Sequence, residues 1–112
     1  MRSYEIRHYQ DENGHDLYQD WLQGLRDQVA KVAIIRRVAR IEVGNFGDHK
    51  FLRSGVSELR IDVGPGYRIY YAQVGANVVL LTHGGDKSTQ IGDIAKAVKL
   101  LEDWRKRNET RS

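Results

Sequence analysis

The chain has 112 residues, which is enough for one domain with a single hydrophobic core. Its net charge of +3 is a moderate basic bias, and the absence of Cys excludes disulfides and thiolate metal sites. These features fit a reducing cytoplasm. The sequence shows no signal-peptide pattern and no apolar run long enough to span a bilayer, so no membrane association is expected.

The basic residues are unevenly distributed. Residues 26–60 contain eight Lys and Arg against four Asp and Glu, so the rest of the chain sums to about -1. A basic segment of this kind favours an anionic partner on one face, and nucleic acid is one candidate. The alternative is an ordinary solvated helix face.

The first part of the chain predicts a strand followed by two helices. Residues 4–9 alternate in the manner of a strand, and residues 13–16 break the chain. A first helix is predicted to follow, with one apolar face formed by Leu17, Trp21 and Leu25. Asp27 can cap a second helix. A glycine-rich segment at residues 44–48 is expected to end this helix. Its apolar stripe consists of Ala30, Ile34, Val38 and Ile41.

The second part predicts three strands and a final helix. Alternation at residues 58–63 indicates a strand with one buried face, and Gly64-Pro65-Gly66 is a turn with proline second and glycine third. A strand at 67–73 follows. The apolar residues 78–82 predict a buried central strand, and the glycines at 84–85 are expected to end it. Ser88 can cap the final helix, and residues 105–112 are expected to be a frayed tail. The stripe of this helix is Ile91, Ile94, Val98 and Leu101.

Together these elements predict a single α+β domain over residues 1–112. Short hairpin loops make the last three strands antiparallel neighbours. The first strand joins the sheet at its edge or beside the last strand, and the sheet is mixed if that pairing is parallel. Two N-terminal helices and one C-terminal helix are expected to collect on one side of the sheet.

A cluster of cations is the main chemical signal. Arg60, Arg68 and Lys87 are separated in sequence but lie side by side once the strands pair, and guanidinium groups match phosphate oxygens bidentately. The tight turn before Arg68 makes its position rigid. The alternative for each residue is a solvated sheet cation or a salt bridge with Glu58 or Asp62.

Other residues are candidates for contact with RNA. Arg36, Arg37 and Arg40 project off the apolar stripe of the second helix, and Lys50 and Arg53 continue the basic segment. Tyr70 could stack on a base, although alternation also allows it to pack in the core. The four His show no metal-ligand spacing, so neither a metal nor another cofactor is expected.

Two segments carry a resemblance to a known family. Glu-Leu-Arg-Ile-Asp-Val-Gly-Pro-Gly-Tyr-Arg-Ile-Tyr-Tyr at 58–71 and Leu-Leu-Thr-His-Gly-Gly-Asp-Lys-Ser-Thr-Gln at 80–90 resemble the RelE/HigB-like addiction module killer proteins of the RelE/ParE superfamily. The resemblance extends from Tyr4 to Trp104. It implies a RelE-like fold and the toxin of a bacterial type II toxin–antitoxin pair. The implied partner is a cognate antitoxin, a small helix-turn-helix DNA-binding protein.

The resemblance also implies a chemistry. In ribosome-dependent mRNA interferases of the superfamily, an Arg after a Gly-Tyr pair stabilises the transition state, and Arg68 matches it. Arg60 and Lys87 match further basic positions. The implied activity is metal-independent cleavage of mRNA, with or without the ribosome, which inhibits translation. The general acid or base is open among His83, Lys87 and His49.

Two other functions remain open at this point. The ParE branch shares the fold but acts on DNA gyrase without cutting RNA, so a non-enzymatic toxin that binds a protein target is the first alternative. The second is an RNA-binding module without toxic activity.

Overall fold

A computed structural model describes residues 3–109 of the chain. In this range, no helix is long and apolar enough to cross a membrane. A short 3₁₀ turn at Lys87–Thr89 precedes the last helix. The elements in chain order are β1 (Glu5–His8), α1 (Leu17–Gly24), α2 (Gln28–Ile41), β2 (His49–Arg53), β3 (Val56–Ile61), β4 (Tyr67–Gly75), β5 (Val78–Asp86) and α3 (Gln90–Glu109).

The strands form one mixed sheet in the order β1-β5-β4-β3-β2. All neighbours are antiparallel except β1 and β5, which are parallel. The predicted α+β class and the mixed pairing of the first strand are therefore confirmed, and β1 lies both at an edge and beside the last strand. Strand β2 was not predicted. It forms a hairpin with β3 and is the other edge of the sheet.

Helices cover both faces of this sheet. Helices α1 and α2 pack on one face against residues such as Ile69 and Leu81, whereas α3 packs on the other against Tyr70 and Leu80. The prediction that all helices lie on one side is therefore wrong. The reason is that β4 and β5 are apolar in consecutive positions, and a strand of that kind must be covered on both faces.

Side-chain caps set where the first two helices begin. The carboxylates of Asp16 and Asp27 accept hydrogen bonds from the backbone N–H groups of Gln19 and Ala30, at 3.0 and 3.1 Å. The predicted stripe of α2 is fully buried, as expected. Helix α1 differs, because its most buried residues are Tyr18 and Leu22 and the predicted stripe is only partly buried.

The glycine pair at 84–85 lies inside β5 and does not end it. A Cβ at Gly84 would collide with the ring of Trp21 on α1, and a Cβ at Gly85 would collide with the Asp93 carboxylate on α3. Glycine is thus required here because helices approach the strand closely from both sides, and the predicted chain break is wrong.

Helix α3 begins and ends differently from the prediction. Asp86 caps the 3₁₀ turn at Lys87–Thr89 that leads into α3, since its carboxylate accepts from the Ser88 N–H at 2.8 Å, and Ser88 lies inside that turn rather than capping the helix. Ile91 is 89% exposed, so it does not belong to the buried stripe. The helix continues to Glu109, so residues 105–109 are helical rather than a tail, and residues 110–112 lie outside the described range.

Hydrogen bonds to residues just after β1 hold the C-terminal end of α3. The hydroxyl of Tyr9 donates to Asp103 at 2.7 Å, and the guanidinium of Arg107 donates to the Gln10 carbonyl at 2.6 Å. Burial and the bond to Asp103 raise the pKa of Tyr9 to about 12. These bonds join elements from opposite ends of the chain.

Candidate functional site

Strand register brings the predicted cations together. Arg60 on β3 lies directly opposite Arg68 on β4, and Arg68 lies opposite Gly85 on β5. The neighbouring row consists of Glu58, Tyr70 and His83. Both rows face α3, so the predicted proximity of Arg60 and Arg68 is present in the structure.

A buried carboxylate lies beneath the two arginines. Glu58 has no exposed surface, and it accepts hydrogen bonds from Arg60 Nε and Gln90 Nε2, each at 2.8 Å. Arg68 Nε is 3.6 Å from the same carboxylate. The bond to Glu58 raises the pKa of Arg60. The salt-bridge alternative therefore holds for Arg60 and for Arg68, and Glu58 joins β3, β4 and the start of α3 at one point.

Sequence reasoning missed Glu58 and Gln90 as members of the site. Glu58 alternates with Leu59, which predicted a solvated polar face, and nothing in the local pattern indicates that α3 covers it. One signal was available, because Glu58 pairs across the turn with the apolar strand 67–73. An acidic side chain opposite an apolar strand is a candidate buried charge, which requires partners.

Arg68 and Lys87 flank the turn between β3 and β4. Arg68 is 13% exposed along its side chain, and its Nη1 donates to the Tyr67 carbonyl at 3.1 Å. The Lys87 N–H donates to the Gly66 carbonyl at 2.9 Å. A Cβ at Gly66, where φ is +84°, would lie 3.7 Å from Arg68 Nη1 and 3.8 Å from Lys87 Cβ. Both distances are ordinary contacts, so glycine is favoured at this position by its positive φ and not by a lack of space.

The turn differs by one position from the predicted one. The hydrogen bond that closes it runs from the Gly66 N–H to the Val63 carbonyl at 3.0 Å, so Pro65 is its third residue rather than its second. Gly64 and Gly66 both have positive φ, which glycine adopts at little cost. The turn is still tight and ends two residues before Arg68, and its role in fixing the position of Arg68 stays a prediction.

His83 and Tyr70 are enclosed under α3. Their rings stack with centroids 5.1 Å apart, Tyr70 has no exposed surface and His83 is 4% exposed. His83 Nε2 is 3.3 Å from Asp93 Oδ1, whose other oxygen accepts from the Thr89 hydroxyl at 2.5 Å. Burial lowers the pKa of His83 and raises that of Tyr70. Of the two roles considered for Tyr70, the structure places it in the core.

One polar atom in each of two neighbouring side chains lacks a hydrogen-bond partner among the described residues. These atoms are Arg68 Nε and the Tyr70 hydroxyl, both buried. Arg68 Nε is close enough to Glu58 for an ion pair but too far for a hydrogen bond. The Nε donor of Arg68 is therefore buried beside the Glu58 carboxylate without a full hydrogen bond.

The remaining predicted cations are spread over the molecule. Arg37 holds the backbone, since it donates to the carbonyls of Arg60, Phe46 and Asp48 at 2.6, 3.1 and 3.0 Å. It therefore does not project freely from α2 as predicted, and reversing its charge would disturb the fold. The exposed cations are Arg36 and Arg40 on α2, and Lys50 and Arg53 on β2.

These exposed cations do not all share the face of Arg68. Helix α2, which carries Arg36 and Arg40, packs on the opposite face of the sheet. Lys50 lies opposite Glu58 in register, so it adjoins the site at the edge of the sheet. Between residues 3 and 109, no group of three or more His, Cys, Asp or Glu could hold a metal ion.

Comparison with known proteins identifies the family. The family model described as "Phage derived protein Gp49-like (DUF891)" matches residues 20–102. The chain belongs to the Gp49-like family. An "Uncharacterized protein" of Haemophilus influenzae is 44% identical to this Gp49-like chain over 86 residues, which cover 77% of the chain and 87% of the relative.

The Gp49-like family is related to the addiction module killer proteins and is associated with toxins of toxin–antitoxin systems. The broader part of the resemblance seen in the sequence is therefore confirmed. The matched region runs from α1 into α3, so it includes Glu58, Arg60, Arg68 and Lys87. Assignment to the RelE/HigB branch stays a prediction, as do the roles of these residues.

Proposed function

We propose that this Gp49-like protein is the toxin of a type II toxin–antitoxin pair and that it cleaves mRNA without a metal ion, in the manner of the RelE/HigB branch. The observation that supports this most directly is the pair of guanidinium groups, Arg60 and Arg68, on adjacent strands. Glu58 and the turn before β4 orient them, and Lys87 lies beside Arg68. Such preorganised cations are suited to the charge that develops on a phosphate in the transition state.

The proposed reaction is attack of a ribose 2′-oxygen on the adjacent phosphorus, with departure of the 5′-oxygen. The products are a 2′,3′-cyclic phosphate and a 5′-hydroxyl. Arg68 binds the non-bridging oxygens through its planar fork, and Arg60 contributes the second charge. The 2′-hydroxyl gives up its proton to solvent as its oxygen attacks, and a protonated group near the leaving oxygen donates the proton that this oxygen needs.

Lys87 is the proposed proton donor among the three candidates. His83 is enclosed beneath α3, and His49 is in register with Leu59, which places it on the opposite face of the sheet. Lys87 is exposed beside Arg68. Its ammonium group is therefore the one of the three that can reach a phosphate bound at Arg68.

A protein partner is part of the proposal. Helix α2 has an exposed apolar stripe of Val29, Val32 and Ile35, which are 72%, 46% and 48% exposed, with Arg36 and Arg40 beside it. An acidic amphipathic helix fits such a face, because its apolar side covers the stripe and its carboxylates pair with the arginines. The proposed occupant is the antitoxin, a small helix-turn-helix DNA-binding protein. The proposed targets are mRNA and the ribosome.

The test is growth and mRNA integrity after induced expression in a bacterium. The wild-type chain should arrest growth, and co-expression of the small gene beside it should restore growth. Mapping of mRNA 5′ ends should show cuts within coding frames. In vitro, cleavage should continue in EDTA and leave a 2′,3′-cyclic phosphate.

Arg68→Ala should reduce cleavage by about 10²–10³, the usual effect of losing one preorganised donor. Arg68→Lys should restore little, since an ammonium cannot reproduce the planar fork. Arg7→Ala is the matched control, because Arg7 is an exposed arginine on β1. Since Arg68→Ala leaves Glu58 with one partner fewer, Lys87→Ala provides a second test at an exposed position of the same site.

The two alternatives predict different results. A non-enzymatic toxin would leave mRNA intact and, if gyrase is its target, would trap DNA breaks. An RNA-binding module would bind RNA without arresting growth. A folded Arg68→Ala protein that arrests growth at the wild-type dose would contradict the proposed chemistry.

A further inference from the structure

A concave surface lies on the face opposite Arg68, at the β2 edge of the sheet. It is a groove of about 560 Å³ lined by Phe46, His49, Phe51 and Tyr71 together with Lys50. We call it the β2 groove. Strand register places it on the face of α1 and α2, since Phe51 is in line with Ser57, Tyr71 and Leu81.

Aromatic rings form the floor and walls of the β2 groove. Tyr71 is almost fully buried, and Phe46 contacts it with ring centroids 5.7 Å apart. His49 contacts Phe46 at 5.8 Å, and a hydrogen bond of 2.8 Å between its Nδ1 and the Gly47 carbonyl orients its ring. Phe51 is 65% exposed. Packing and hydrogen bonds therefore fix three of the rings in the groove, and the fourth ring, that of Phe51, is open to solvent.

The spacing of His49 and Phe51 suits a flat ligand. They are two residues apart on one strand, so their side chains leave the same face about 6.8 Å apart. One planar ring fits between two others at that separation. An aliphatic side chain of a protein partner would gain less from such walls than an aromatic base does.

Charge at the groove favours an anionic ligand. Strand β2 has the sequence His-Lys-Phe-Leu-Arg and contains no acidic residue. Lys50 is exposed and lines the groove at the edge of the sheet, whereas Arg53 is in register with Val56 on the face of α3. Exposed aromatic rings beside cations that can follow a phosphate backbone are the usual features of surfaces that bind single-stranded nucleic acid.

The β2 groove and the Arg68 site meet at one edge of the sheet. Lys50, which lines the groove, is in register with Glu58, and Arg60 follows on the same strand as Glu58. A single-stranded RNA that crosses this edge can therefore place one nucleotide in the groove. A phosphate a few nucleotides along the same RNA then lies at Arg60 and Arg68.

We propose that the β2 groove binds an unstacked base of single-stranded RNA, with Phe51 and His49 on either side of the ring and Lys50 at the neighbouring phosphate. This inference rests on the proposed function, because it extends the path of the RNA that Arg68 is proposed to cleave. It adds a binding site that is remote from the reacting phosphate and that sets where the strand lies.

The experiment measures binding of a fluorescent ten-nucleotide RNA by anisotropy, with 2′-O-methyl groups that prevent cleavage. Phe51→Ala in the full chain should weaken binding about tenfold or more, and Phe51→Trp should retain it. In Phe51→Trp, stacking of the base should also quench the fluorescence of the introduced indole. Val43→Ala is the matched control, since Val43, in the turn after α2, is 57% exposed and belongs to neither proposed binding surface. Because Phe51 is exposed, these variants should melt near the wild-type temperature.

The outcomes separate this inference from the proposed function. If the wild-type chain and Val43→Ala bind the RNA and Phe51→Ala binds it equally well, the groove is not an RNA site, while the role of Arg68 is unaffected. If the wild-type chain binds no RNA, this inference fails, whereas the proposed cleavage is decided by the growth and mRNA-integrity test. If Phe51→Ala keeps RNA affinity but loses the neighbouring gene's product, a protein occupies the groove and the inference is overturned.

Discussion

Glu58→Gln tests the centre of the site, because it removes one charge and preserves the shape of the side chain. In the wild-type chain the carboxylate accepts from Arg60 and Gln90 and lies beside Arg68. An amide has one oxygen and one NH₂ group. One of the two donors, Arg60 Nε or Gln90 Nε2, would then face another donor, and two guanidinium groups would lose their buried counter-charge.

The expected loss of stability is large for a single substitution. Removing one partner of a buried ion pair typically costs about 3–5 kcal/mol. Arg60 is 35% exposed and can turn toward water, so we expect the lower end, about 3 kcal/mol. For a domain of this size that corresponds to a melting temperature lower by roughly 10 °C.

The effects on RNA binding and on cleavage should have opposite signs. Loss of a negative charge beside the arginines should leave RNA affinity unchanged or higher, with a steeper dependence on salt. Cleavage should fall about tenfold or more, because about 1.4 kcal/mol of lost positioning in the transition state is a factor of ten. A role that is only structural would not separate binding from rate in this way.

The assays are urea unfolding, anisotropy at several salt concentrations, and cleavage at a temperature where the variant stays folded. Glu102→Gln is the control, since it removes the same charge at an exposed position on α3 and should change stability by about 0.5 kcal/mol or less. If Glu58→Gln is as stable as this control, the buried carboxylate does not hold the site together. If it is destabilised but cleaves RNA at the wild-type rate, Glu58 does not position the arginines.

Two further predictions concern groups near the site. Arg37→Ala leaves three backbone carbonyls without their donor, so the free energy of unfolding should fall by about 2 kcal/mol, whereas the exposed Arg36→Ala should have little effect; equal urea midpoints would refute this. Burial lowers the pKa of His83 below 6.5, so the unfolded chain binds a proton that the folded chain does not, and stability should fall as the pH drops below about 6.5. His83→Gln should remove this fall between pH 7 and 5, and the exposed His15→Gln should not; an unchanged profile in His83→Gln would show that another group titrates.

Local pattern determined much of the fold and the nearness of the key cations. The cap at Asp27 and the stripe of α2 need only a helix and an apolar surface to pack against, and both are present as predicted. The short turn at 63–66 forces β3 and β4 to pair, and pairing across a short turn places Arg60 opposite Arg68. Such features depend on residues close in sequence.

The environment of those cations was decided by the tertiary structure. Glu58 follows an alternating pattern that is typical of a solvated face, and it is buried only because α3, some thirty residues later in the chain, packs over it. The glycines of β5 predicted a chain break because the local sequence indicates only that glycine is flexible. It does not show that helices approach the strand closely at these two positions. Arg37 likewise reads as a free cation, but it is held by carbonyls from β3 and from the loop before β2. Burial and long-range hydrogen bonds depend on which elements pack together, and the local periodicity of the sequence does not show that packing.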